Sequence, residues 1–194
     1  VHVVRHKKNM GKGIAMRSGI LKAAEMELTH VLQIDSDGQH DVDRVQHFLE
    51  KSMENPDAVI CGFPEYDESA PKERVNGRKI ANAWIHFVTL SGAIKDALIG
   101  FRVYPVEPCL KLIRHTLVDP RMGFDVDILV HLYWLGVPVV SESVKVSYPK
   151  DGISNFRIVR DNIRISFVYM RLCIGMFFRI PKLIFLNVRR RKNV

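Results

Sequence analysis

Over the first third of the chain, short apolar runs exchange with segments of helical period, and that order restricts the fold more than any other feature. Residues 1 to 5 read as a strand, and Lys12 to Leu28 as a helix with apolar residues at Ile14, Ile20, Leu21, Ala24 and Leu28. Val31 to Asp35 is a second strand, Asp43 to Asn55 a helix, and Ala58 to Phe63 a third strand. This succession predicts an α/β fold whose mostly parallel sheet is flanked by crossover helices. In such sheets ligands bind beyond the carboxyl ends of the strands. The second strand delivers Asp35-Ser36-Asp37-Gly38-Gln39-His40-Asp41 to that edge.

Strand side chains alternate faces, so Asp35 and Asp37 project the same way wherever extended geometry persists, and their oxygens suit one hard cation, Mg2+ or Mn2+. A calcium-binding helix–loop–helix is excluded, because its obligatory glycine falls on His40 and its closing glutamate on Gln46. The plainer alternative is a strand end with Asp41 or Asp43 capping the next helix. Upstream, Asn9-Met10-Gly11-Lys12-Gly13 precedes a helix; its glycines and Lys12 suit a phosphate, or serve backbone geometry alone. It is not a Walker loop, since GxxxxGK[ST] is absent.

Further along, Pro64 to Lys72 reads as an exposed loop and Glu73 to Leu90 as a helix whose Arg74, Arg78 and Lys79 either meet phosphate or form a solvated face. Asp96 to Tyr104 is a loop entering a short strand, Glu107 to Leu117 a helix ended by Asp119-Pro120, and Met122 to Leu135 a helix stopped by Gly136. In that last helix Asp125 and Asp127 lie in the first turn, where they either complement the dipole or act catalytically. Val137 to Tyr148 is strand-like.

With 194 residues, 47% of them hydrophobic, the chain holds one packed domain and an appendage. Val1 is not an initiator methionine and Val1 to Val4 is already strand-like, so the chain is read as a fragment. No charged-then-apolar leader is seen. Cys61, Cys109 and Cys173 form no CxxC pair, which indicates reduced, mostly buried thiols, and the eight histidines lack metal-binding spacing. Residues 150–194 carry 11 Lys+Arg against two Asp+Glu, whereas residues 1–149 carry 18 against 19. The charge therefore belongs to the tail.

In the tail, Phe156, Val159, Ile163, Phe167, Met170, Ile174 and Phe177 recur at helical spacing beside Arg157, Arg160, Arg164 and Arg171. Its longest uncharged run, Leu172 to Phe178, falls far short of the ~20 residues of a membrane span. Two readings follow: a basic amphipathic helix lying on an anionic membrane, reinforced by Arg189-Arg190-Arg191-Lys192, or a helix packed on the domain, with Pro181 dividing two halves. Nucleic acid is excluded as a partner because aromatic side chains do not interleave with the arginines in a groove-like pattern.

Four motifs in order, Asn9-x-Gly11-Lys12-Gly13-x-Ala15, Asp35-Ser36-Asp37-Gly38-Gln39-His40, Asp96 to Arg102, and Asp127 ahead of Gly136, resemble the family 2 glycosyltransferases of GT-A fold. Within that family the polyprenyl-phosphate glycosyltransferases, such as dolichol-phosphate mannose synthase, are most similar. The resemblance implies a glycosyltransferase domain over residues 1–155 and a helical, membrane-interfacial tail over 156–194. It implies an inverting transfer of sugar from a nucleoside diphosphate sugar to a lipid or lipid-linked acceptor. By the same resemblance, Asp35 and Asp37 hold Mg2+ or Mn2+, Lys12 and Gly11 assist at the donor phosphates, Asp127 is the base with Asp125 as its neighbouring candidate, and Arg102 and Ser154 meet the acceptor. Localisation follows as peripheral, on the cytoplasmic face of a membrane, the bacterial inner membrane in the subgroup that Tyr148 to Phe156 and Arg160 to Ser166 look most like.

Departures from the family pattern are local. Ile99 replaces a small hydroxyl residue before Gly100, and Pro149-Lys150-Asp151-Gly152-Ile153-Ser154-Asn155 keeps a glycine and a serine of the later motif but not its two cations. A relative that binds sugar nucleotide without turnover is the alternative; metal-dependent transfer or hydrolysis separates the two.

Overall fold

The computed structural model describes residues 2–66, 70, 72–146 and 158–192. In chain order the elements are α1 (Lys12–Glu25), β1 (His30–Ile34), α2 (Val45–Glu54), β2 (Val59–Tyr66), α3 (Lys72–Thr89), β3 (Phe101–Pro105), α4 (Val106–His115), α5 (Phe124–Leu135), β4 (Val139–Val146), α6 (Ile158–Phe177) and α7 (Ile180–Lys192). A 3-10 turn at Val42–Arg44, capped by the Asp41 side chain accepting from Asp43 N–H, leads into α2.

The sheet order is β1-β3-β2-β4. β2 and β4 pair in parallel from Val59↔Val139 to Tyr66↔Val146. β3 is wedged between β1 and β2 and runs antiparallel to both. Three strands thus share one direction, in agreement with an α/β fold of GT-A type, but the expected neighbouring of the second and third strands is corrected. The reason is that Phe101–Pro105 is buried at every position, so its short apolar run carries no alternation from which direction or rank could be read. The wedge has one consequence for chemistry: β3 begins where β1 ends, so Gly100 lies beside Asp35.

Residues 2–11 hold no strand, and Val3 and Val4 remain 67% and 49% exposed, so the expected strand over residues 1 to 5 is absent from its described part. Those valines have no sheet neighbour to bury them.

α5 is the central helix, buried at every position from Phe124 to Val130 and again from Leu132 to Trp134. Helices apolar on all sides occur only inside a core. Gly136, at φ 101°, ends it in the left-handed conformation glycine tolerates best. The tail contributes to this same core: Val168, Leu172 and Met176 of α6 and Leu183 of α7 are buried with it. Asn187 joins α7 to the body, accepting from Tyr133 Oη at 2.6 Å and donating to the carbonyls of Thr89 and Leu90 at 3.1 and 2.9 Å. Arg190 donates to Val137 O at 3.0 Å and stacks on the Tyr133 ring at 3.9 Å, which turns it inward from the polybasic run. On its other side α6 leaves Ile163, Phe167, Met170, Ile174 and Phe177 exposed. Both expected readings of the tail therefore describe one helix, one for each face. No helix among the described residues is long and apolar enough to cross a membrane.

Candidate active site

β1 ends at Ile34, and the backbone N–H of Asp35 donates to Gly100 O at 3.0 Å. A Cβ at Gly100 would lie 2.1 Å from Asp35 Oδ2, so only glycine leaves room for this carboxylate. Ser36 and Asp37 belong to a turn, which replaces the extended geometry invoked to align Asp35 with Asp37. Asp37 is exposed, and its Oδ1 accepts the Gln39 N–H at 3.1 Å.

Lys12, at the start of α1, reaches across to this strand end. Its Nζ lies 2.7 Å from Asp35 Oδ1 and also pairs with Asp125 Oδ2. Asp125 is held from beneath by three side chains of the sheet. Gln33 Nε2 donates to Asp125 Oδ1 at 2.8 Å, Tyr104 Oη donates to Gln33 Oε1 at 3.1 Å, and Arg102 Nη1 donates to Tyr104 Oη at 3.1 Å and to Asp125 O at 2.6 Å. Burial alone would lower the pKa of Lys12, but the fields of Asp125 and Asp35 outweigh it and the net shift is upward. The ammonium stays charged between two carboxylates.

Asp96 fixes the approach to Gly100. Buried at 1% exposure, it accepts from the Leu98 and Ile99 N–H groups at 2.9 and 2.8 Å, and pairs with Arg78 at 2.8 Å. Arg78 is thereby committed to this loop, while the Arg74 side chain lies outside the described residues.

The glycines ahead of α1 have a different task from the one expected. Gly11, at φ 100°, donates its N–H to Asn9 Oδ1 at 3.0 Å, and a Cβ there would meet Pro120 O at 2.7 Å. At Gly13 a Cβ would fall 2.2 Å from Asp119 O. These positions let α1 rest on the 119–121 segment, and the phosphate-binding expectation for Gly11 is corrected: its N–H is already engaged.

Asp125 and Asp127 separate. Residues two apart on a helix lie on nearly opposite sides. Asp127 is fully buried away from Lys12, accepts the Asp119 N–H at 2.7 Å, lies 3.1 Å from His131 Nδ1, and pairs with Arg171 of α6. Asp125, the second candidate in sequence, is the one placed with Lys12 and Asp35. Arg102 also departs from expectation: its side chain is fully buried and supports Asp125, so it faces no acceptor. Ser154 lies outside the described residues. Gln33 and Tyr104 were missed, although a polar residue in an apolar strand, two before Asp35, is a readable signal for Gln33.

A basic cleft of about 620 Å³ adjoins Lys12, lined in part by His6, Lys8, Asn9 and Ser18. The larger cleft, about 820 Å³, lies at the opposite end of β1 beside Thr29 and His30, away from the carboxylates. Among the described residues no cluster of three or more His, Cys, Asp and Glu is placed to hold a metal by protein ligands alone. The donor set at Asp35 and Asp37 nonetheless fits Mg2+ or Mn2+, since such ions take one or two carboxylates and complete their shells with water and substrate phosphate. The Asp35 carboxylate already faces a cationic group in Lys12.

This site, on this sheet, is that of a sugar-transfer domain, and the sequence comparisons agree. The chain belongs to glycosyl transferase family 2, whose model matches residues 1–119. It is 28% identical over 185 residues to a dolichyl-phosphate beta-glucosyltransferase of Dictyostelium discoideum, covering 88% of this chain and 55% of that protein. To the dolichyl-phosphate beta-glucosyltransferases ALG5C and ALG5D of Trichomonas vaginalis it is 32% and 30% identical, covering 67% of this chain and 40% and 41% of those proteins. The chain thus spans about half the length of the curated relatives it matches.

Proposed function

We propose that this chain is the catalytic part of an inverting glycosyltransferase that moves a sugar from a nucleoside diphosphate sugar to a polyprenyl phosphate at a membrane surface. The observation that carries the reading is Lys12, a buried ammonium held between Asp35 and Asp125 at the strand ends where the family binds its donor. In this reaction the bond from the anomeric carbon to the diphosphate breaks and a bond to the acceptor oxygen forms. Negative charge develops on the leaving diphosphate, and a fixed cation stabilises it most where water is excluded. Lys12 supplies such a cation, and Asp125, oriented by Gln33, keeps it in place.

Asp35 and Asp37 would hold Mg2+ or Mn2+, which supplies Lewis-acid neutralisation of the diphosphate. A lipid phosphate acceptor is already an anion and needs no base. That suits an Asp125 with both oxygens engaged and an Asp127 buried against Arg171. The curated relatives are named for action on dolichyl phosphate, which supports the same acceptor class.

The exposed stripe Ile163, Phe167, Met170, Ile174 and Phe177 would lie in the membrane interface, with exposed Arg189 near anionic headgroups on the cytoplasmic face. The test is calorimetric titration of the protein with UDP- and GDP-sugars, with and without manganese, for the wild type and Asp37→Ala. Metal-dependent binding that the variant loses is expected, followed by transfer to a polyprenyl phosphate in detergent. A wild type that binds no sugar nucleotide refutes the reading.

A further inference from the structure

We infer that Arg171, on the tail helix α6, is a positioning residue for the Lys12 ammonium. Its guanidinium has two prongs in use: Nη1 donates to Leu117 O at 2.8 Å, and Nη2 pairs with the buried Asp127 carboxylate. Asp127 in turn accepts the Asp119 N–H at 2.7 Å, so one side chain fastens the 117–119 backbone from both ends. The next residue of that backbone carries α1: Ile14 N–H donates to Pro120 O at 3.2 Å. Asp119 O and Pro120 O fill the space where side chains at Gly13 and Gly11 would begin, at 2.2 and 2.7 Å. Lys12 lies between those two glycines. The tail therefore reaches the site through a continuous path of Arg171, the 117–120 segment and the Gly11–Gly13 turn, without touching a reacting group.

Geometry explains why the residue is arginine. A planar fork spans two acceptors at fixed separation, whereas a lysine supplies the charge at one point only. Val168 of α6 reinforces the seat, with Cγ2 2.8 Å from where a Cβ at Gly123 would be.

The catalytic meaning of this positioning rests on the proposed transferase reading, but the geometry does not, and the test keeps the two apart. The full chain as wild type, Arg171→Met and Arg171→Lys is labelled briefly with an amine-reactive succinimidyl ester at pH 8, and each lysine is quantified by mass spectrometry. Lys12, with 17% of its side chain exposed, should label slowly beside Lys22, with 42% exposed. Arg171→Met is expected to raise the Lys12 to Lys22 labelling ratio at least fivefold. Arg171→Lys, which keeps a charge at Asp127 but cannot also reach Leu117 O, should raise it to an intermediate degree while retaining the wild-type thermal midpoint. With sugar nucleotide, Arg171→Lys should lose turnover while its KM stays within about threefold, the pattern of a misplaced transition-state group. A ratio within twofold of wild type in both variants overturns the inference, as does a rise shared equally by Lys51, which reports loosening of the whole fold. Absence of turnover in the wild type refutes the transferase reading, and the labelling ratio then decides the role of Arg171 alone.

Discussion

Asp125 and Asp127 share one helical turn, one residue type and nearly complete burial, yet they belong to different regions of the molecule. Asp125 faces the strand ends, where Lys12 and Gln33 engage its two oxygens. Asp127 faces the tail, where Arg171, His131 and the Asp119 N–H surround it. The difference shows how a helix in the core divides chemistry from assembly. One face presents charge to a substrate, and the other uses charge to seat the next helix.

The largest effect expected is at Asp125. Asp125→Ala frees Lys12 from its anchor, and turnover should fall by about a hundredfold or more, as when one preorganised electrostatic group is removed from an active site. Asp127→Asn should lower turnover less than tenfold, with its main effect on the thermal midpoint, because it removes one member of a buried pair at a cost of about 1–3 kcal/mol. Steady-state kinetics and thermal melts of both variants decide this. If Asp127→Asn is the more damaging to turnover at an unchanged midpoint, the assignment of faces is reversed.

Next in size is Gly100→Ala. The added methyl overlaps the Asp35 carboxylate, and displacement of that group should abolish donor binding in calorimetry while costing about 1–3 kcal/mol of stability, the usual penalty for overpacking. Donor binding of wild-type strength would mean that the Asp35 position is not needed.

The tail helix repeats the two-faced pattern. Leu172→Ala, on the buried face, should cost about 2–5 kcal/mol in denaturant melts and leave vesicle binding intact. Phe167→Glu, on the exposed face, should leave the melt unchanged and reduce sedimentation with anionic vesicles severalfold. Equal vesicle binding by Phe167→Glu and wild type would remove this stripe from the membrane contact.

These pairs also show what a sequence can carry. The helix at Phe124–Leu135, its stop at Gly136 and the carboxylates after β1 were legible, because periodicity, capping and turn chemistry are local. The antiparallel insertion of β3 was not, since Phe101–Pro105 is buried throughout and records no direction. Nor was the division between Asp125 and Asp127, although a spacing of two on a helix already sets them on opposite sides. Arg102 and Arg190 look like free cations in sequence; only tertiary packing shows one holding Asp125 and the other stacked on Tyr133.

The smallest effect separates the two faces by pH. On the site side, His40 packs edge-on to Phe101, with ring centroids 5.7 Å apart. Burial lowers its pKa from 6.5; Asp35 and Asp37 oppose that shift, and Lys12 and Arg78 add to it. With the folded value depressed, the unfolded chain binds the proton first as pH falls. Stability is therefore full above 6.5 and declines below it, until pH passes the folded value. The slope in that window is at most about 1.4 kcal/mol per pH unit. In urea melts between pH 7.5 and 5, His40→Gln should flatten this decline relative to wild type, whereas Asp127→Asn, on the other face, should leave the His40 contribution in place. Identical pH slopes for wild type and His40→Gln would show that the ring is protonated equally in both states, and that burial against Phe101 does not govern it.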